Sequence, residues 1–243
     1  MRLLTAGLAV ALVTGCADLT TSDINATDRG VFIPSGRVGI GISPKAESPS
    51  VPHTGHALEL GASGGSGDDQ QEMAAGERPV VFGGRTFNSP VAMRHEFDFR
   101  FYELAYRYRH FFGQSRDFGI EALGGLAYAQ LDLTVDSGTQ RASEKLGSGG
   151  VLGGFGLLWN FRPTTSLQSR VTLFVSGQNE DVSTATRFDV YVAQALGRHA
   201  ALRAGWGVWN VRSIREANDN LSSLNSPIHL RFSGPALGLD IAF

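Results

Sequence analysis

Residues 95–108 read HEFDFRFYELAYRY, and the way they alternate decides the fold. Phe97, Phe99 and Phe101 stand against Glu96, Asp98 and Arg100 in strict period two. A strand sends successive side chains to opposite faces, so the pattern predicts a strand with one apolar and one charged face. From Tyr102 the alternation continues, with Tyr102, Leu104, Tyr106 and Tyr108 against Glu103 and Arg107, but its parity has moved by one. One extra residue in the strand would restore a single apolar face. The slip therefore predicts a β-bulge between Phe101 and Tyr102.

Outward from this stretch the same period recurs, and no helical period lasts. Eight strands are expected, at 55–63, 93–112, 118–134, 149–162, 166–177, 185–196, 199–213 and 227–243. GFGLLWNF (154–161) sets Phe155, Leu157, Trp159 and Phe161 on one face, and SRVTLFV (169–175) sets Val171, Leu173 and Val175 likewise. In the last strand Ile228, Leu230 and Phe232 give way to Leu237 and Leu239, a second slip and a second expected bulge at Gly234-Pro235. Connections alternate between long stretches, such as DSGTQRASEKLGSG (136–149), and short turns, such as RPTTS and LGRH. Residues 61–90 form the longest connection, within which ERPVVFGGRTF could extend the second strand.

Composition agrees with much buried or lipid-facing surface. Charged residues make up 18% of 243, below the usual quarter, and there are 31 glycines. A net charge of -2 gives no case for nucleic acid. The lone cysteine, Cys16, excludes an internal disulfide. It follows MRLLTAGLAVALVTG, one basic residue and a short apolar run, which reads as a signal-peptide core. Residues 17–52 read as a linker, with a short strand possible at 37–43 (RVGIGIS).

Two resemblances follow from these residues. Val13-Thr14-Gly15-Cys16 resembles the lipobox of bacterial lipoproteins, which implies cleavage before Cys16 by lipoprotein-processing enzymes and acylation of its thiol and amine. The alternating segment LGLDIAF (237–243), closing on Phe243, resembles the C-terminal signature of Gram-negative outer-membrane β-barrels, a strand read by the barrel-assembly machinery. The class it resembles is the small eight-stranded barrel of the OmpA, OmpX and OmpW kind. The expectation is thus an all-β chain: signal peptide 1–15, lipid anchor and periplasmic linker or plug 16–54, and an eight-stranded antiparallel up-and-down transmembrane β-barrel 55–243. It is expected in the cell outer membrane as a monomer among lipids and lipopolysaccharide, with both termini periplasmic, since an even strand number returns the chain to the side it left.

With apolar faces outward, the lumen would hold Glu59, Glu96, Asp98, Arg100, Glu103, Arg107, Glu121, Asp132, Arg162, Arg170, Asp189, Arg203, His229, Arg231 and Asp240. Charges confined in so narrow an interior must pair, so a salt-bridged core is expected, with glycines making room. Phe111, Phe112, Trp159, Phe161, Trp206 and Trp209 are expected in interfacial girdles. No catalytic, cofactor or metal set is expected. His229 and Ser233 share a face but sit about 13 Å apart in an extended strand, too far for a nucleophile and base. His95 and Ser226 lie toward the same rim, and His53 and His56 form no ligand cluster. The expected role is structural or surface-interactive. Three alternatives stay open: a gated path for small apolar solutes, a lipid A-modifying enzyme, and a tethered soluble lipocalin-like binder, whose apolar face would point inward.

Overall fold

The structure is a computed structural model that describes residues 24–41, 55–113, 115–178, 181–197, 199–215 and 228–242. Residues 1–15, the expected signal peptide, and Cys16, His53, Ser226 and Phe243 lie outside the described residues. Among these there are twelve strands and no helix: β1 Ile24–Phe32, β2 Ser35–Gly41, β3 Gly55–Met73, β4 Val80–Phe82, β5 Arg85–Phe87, β6 Val91–Phe112, β7 Phe118–Asp136, β8 Arg141–Arg162, β9 Thr165–Gln178, β10 Asp181–Ala195, β11 Ala200–Arg215 and β12 Ile228–Ala242.

From β3 through β6 to β12 each strand pairs antiparallel with the next, an up-and-down sheet of eight strands as the sequence predicts. The sheet does not close on those eight. β2 lies between β12 and β3, antiparallel to β3 and parallel to β12, so the pairing runs round a ring of nine. Of the short strand expected at 37–43 within a linker, residues 37–41 therefore belong to the wall, and 42–43 lie outside the described residues. β1 continues the line of β2 and pairs parallel with the first half of β12, Ile24 opposite Ile228. The join is Ile33-Pro34, where the Ile33 amide donates to the Ser233 carbonyl at 3.1 Å and the Gly64 amide donates to the Pro34 carbonyl at 3.2 Å. An odd count has a consequence for direction. Ile24 stands at the end of the ring where β12 begins, and Ala242 at the opposite end.

We call the end where β12 finishes lower and the other upper. Most strands are longer than expected, β3 and β8 by the most. β3 absorbs GASGGSGDDQQEM, paired without a break to β6, and most of 136–149 belongs to β7 and β8, joined by only Ser137 to Gln140. These segments alternate too, but their outer face is polar and their inner face mixes small and apolar residues with Asp69, Gln71 and Glu144, so they pass for polar loops. The rest of the long connection, 74–90, holds the β4–β5 hairpin rather than an extension of β6.

Neither expected bulge exists. β6 keeps continuous register with β3 and β7 through Phe101 and Tyr102, and β12 keeps it with β11 through Gly234 and Pro235. Parity does not slip; the surroundings do. Below Tyr102, β6 turns Tyr102, Leu104 and Tyr106 outward and Glu103 and Arg107 inward. Above it, Phe97, Phe99 and Phe101 face inward, and Glu96, Asp98 and Arg100 face out.

Candidate functional site

The inversion on β6 recurs around the ring, and it divides the molecule into two halves of opposite polarity. In β7, Leu126 and Tyr128 face out below, while Leu131, Leu133 and Val135 are buried inside above. In β12, Leu237 is exposed below and Ile228, Leu230 and Phe232 are buried above. The lower outer surface is a continuous apolar belt that includes Ile40, Leu60, Leu104, Leu126, Phe155, Leu157, Leu173, Val192 and Leu202. Aromatics mark its edges: Tyr102, Tyr128, Phe188 and Trp206 above, Phe112, Phe118, Trp159 and Phe161 below. On β6, β7 and β8 the edges fall ten residues apart, at 102 and 112, 118 and 128, and 151 and 161. At the usual strand tilt that spacing gives a height of about 25 Å.

Inside the belt the side chains are charged. Six arginines (Arg37, Arg107, Arg109, Arg170, Arg187 and Arg203) meet five acids (Glu59, Glu103, Glu121, Asp189 and Asp240). Glu59 is the hub: it accepts from Arg107 Nη1 at 2.6 Å, from Arg203 Nη2 at 3.1 Å and from Arg170. Glu121 bridges Arg109 and Arg170, each at 2.6 Å, and Asp240 accepts from Arg107 Nη2 at 2.8 Å. Arg37 comes from the inserted strand β2 and joins Glu103 to Asp189, the latter at 2.8 Å. Glycines leave the space: a Cβ at Gly61 would stand 2.6 Å from Glu103 Cγ, and one at Gly238 2.8 Å from Arg203 Nε.

The structure thus brings Glu59, Glu103, Arg107, Glu121, Arg170, Asp189, Arg203 and Asp240 into one network, as expected from sequence. It places Glu96, Asp98, Arg100 and Arg231 on the outer face instead, because they lie above the plane where inside and outside exchange polarity. Asp132 and His229 also point outward, and Arg162 is exposed at the lower end of β8. Arg37, Arg109 and Arg187 were missed. Arg109 and Arg187 share inward parity with Arg107 and Asp189, which is the signal that could have found them; Arg37 has no such neighbour.

Above the charges, Arg187 lies against Trp209 with its guanidinium carbon 4.7 Å from the ring centre. Trp209 is 2% exposed, an interior residue and not a girdle one. Phe99 and Phe101 pack on it at ring separations of 5.5 and 4.9 Å, Phe232 lies 4.8 Å from Phe99 and Phe174 5.5 Å from Phe101, so buried rings from β6, β9, β11 and β12 meet in one layer. Phe111, also expected in a girdle, is buried as well. No family model, no curated protein and no solved structure matches the chain. Its reading rests on its own geometry.

Higher still, the walls carry Met73, Met93, Phe97, Leu133, Val135 and Ala142, and the β4–β5 hairpin adds Val80, Phe82 and Phe87 to the same cluster. His95 faces inward among them, 0% exposed, with neither ring nitrogen hydrogen-bonded. Burial holds its ring below the ordinary value of 6.5, partly countered by Asp69 directly across the β3–β6 ladder. A group with a lowered folded pKa stabilises fully above its unfolded value and progressively less as pH falls. Hydrogen-exchange protection factors of the hairpin amides are therefore expected to be flat above about pH 6.5 and to drop below it. His95→Phe should remove the drop, and a pH-independent profile in the wild-type chain would refute this.

His229 and Ser233 lie on the outward-parity face of β12, away from the interior, and His95 does not face them. Among the described residues no group of His, Cys, Asp and Glu is placed to hold a metal.

Proposed function

We propose that the chain is a transmembrane β-barrel of the outer membrane, immersed only to the level of Tyr102 and Tyr128, with a surface-interactive or structural role. One observation carries this reading: the exposed apolar belt. A soluble protein exposes contiguous apolar surface of a few hundred Å², whereas here the belt runs right round the ring. Its height of about 25 Å and its aromatic borders suit a bilayer. A spanning sheet must leave no unpaired edge, and the parallel β12–β2 seam meets that condition.

The upper half is built the other way, apolar inside and charged outside, as water requires. It favours a barrel that stands well clear of the membrane and meets its surroundings with the outer faces of β3, β6, β7 and β8. Asp68, Arg94, Glu96, Asp98, Asp132 and Lys145 line a shallow cleft there. These charges would lie just above the lipid headgroups, within reach of lipopolysaccharide. The paired charges and the aromatic layer occupy the interior, which argues against a continuous pore, and among the described residues no hydroxyl or thiol hydrogen-bonds the buried interior histidine, His95. The lower end is assigned to the periplasm from the C-terminal resemblance. Ile24 then stands on the outer side, so a shared periplasmic placement of both termini is not part of this proposal.

Isolated outer membranes run boiled and unboiled on a denaturing gel test the reading. A mobility shift on boiling, in material that resists carbonate extraction, is expected. Release of the protein by carbonate, with no shift, would mean a soluble closed sheet and would overturn it.

A further inference from the structure

We propose that the upper compartment is a binding site for an uncharged apolar molecule with a single hydroxyl head, such as a simple phenol or a medium-chain alcohol. His95 is its polar contact and the β4–β5 hairpin its lid. The inference does not rest on the membrane reading, because it concerns only the half above the belt.

Buried polar groups in folded chains nearly always have partners, and each exception asks for an explanation. His95 has two, a donor and an acceptor on one ring, both buried on the inward face of β6. A hydroxyl can accept from the N–H or donate to the bare nitrogen, so it partners whichever of the two faces it in either tautomer. A charged head fits less well. Met93, Phe97, Phe82 and Val135 offer no countercharge, and Asp69 across the ladder repels an anion.

The aromatic layer around Trp209 forms the floor of the compartment, and every ring of that layer is buried. Its cover is different in kind. β4 and β5 pair only with each other, over three residue pairs, and form no ladder with the ring. The hairpin is held to the walls by the packing of Val80, Phe82 and Phe87, and the segment leading into it, residues 74–78, is exposed. Gly76 adopts a φ of +90° there, and Gly83 and Gly84 turn the hairpin at +56° and +71°. A unit that shares no ladder with the ring can open at less than the global unfolding free energy. An apolar ligand would take the space that Phe82 and Phe87 vacate.

The test uses Trp209, at the floor, as reporter. In the full chain carrying Trp159→Phe and Trp206→Phe, both belt positions, Trp209 is the sole tryptophan. Titration with 4-bromophenol, a neutral heavy-atom quencher, into the refolded protein should give saturable quenching. His95→Phe should weaken the apparent affinity at least tenfold, and the anion 4-bromobenzoate should bind at least tenfold more weakly than the phenol. A second variant tests the lid. A Cβ at Gly83 would stand 3.0 Å from that of Ala142, shorter than the about 3.5–4.5 Å of a disulfide, so the hairpin has to shift slightly outward to accept the bridge. Gly83→Cys with Ala142→Cys, in a Cys16→Ser background, must first show the quenching of the parent when reduced; it should then lose the quenching when oxidised and regain it on reduction. Non-saturable quenching equal to that of free tryptophan amide under the same conditions would overturn the site. Saturation unaffected by both His95→Phe and the oxidised lock would overturn the assignment of His95 and the hairpin.

Discussion

Replacing Glu59 by alanine should destabilise the folded protein by about 3–5 kcal/mol, the range for removing one member of a buried ion pair. The loss is large because Glu59 accepts from three guanidinium groups, Arg107, Arg170 and Arg203, all at most 8% exposed, and none can reach water instead. Six interior arginines would then face four acids. Asp98→Ala is the contrast: its pair with Arg100 is solvent-exposed on the outer face, and its removal should change stability by about 0–1 kcal/mol. Urea unfolding midpoints of the two variants, measured with the protein refolded into the same vesicles, check the difference. Adding Arg203→Met to Glu59→Ala should recover about 1 kcal/mol or more relative to the sum of the single losses, because one stranded charge is withdrawn. Equal effects of Glu59→Ala and Asp98→Ala would show that water reaches the network and that the interior is no salt-bridged core.

The second large effect tests depth in the membrane. Leu157 is 57% exposed at mid-height of the belt, between Val151 and Phe161 on β8. Leu157→Arg should destabilise the lipid-embedded protein by about 2–4 kcal/mol, as arginine does at the bilayer midplane. Ser143→Arg is on the same strand and the same outward parity, but above the plane of Tyr128. Its effect should stay within about 0.5 kcal/mol, as for an ordinary surface site. The pair of measurements places the waterline. Similar small effects at both sites would remove lipid from the outer surface, and the belt would then have to be covered by another protein.

Strand content and the line of eight antiparallel strands were legible because a period of two is a local property, written in every stretch such as GFGLLWNF. So was most of the charge network, since Glu103, Arg107, Glu121, Arg170 and Asp240 each oppose an apolar face on their own strand. The mistakes share one cause. Alternation states that a strand has two faces; it does not state which is inside. Reading one medium along the whole strand turned the crossover at Phe101 and Tyr102 into a bulge, and it sent Glu96, Asp98 and Arg100 into a lumen they do not enter.

The sequence by itself determined that this chain builds a sheet of alternating strands and that charged faces must be gathered somewhere dry. Only the tertiary structure decided where. Unbroken register from Val91 to Phe112 shows that polarity exchanges sides at a plane and the backbone does not. The ninth strand was beyond local reading for a similar reason. Arg37 lies in a short segment rich in glycine and serine, and its partner strand begins nearly two hundred residues later. Parallel pairing across that separation leaves no turn to announce it, so the seam that closes the sheet is written in contacts rather than in any one stretch of sequence.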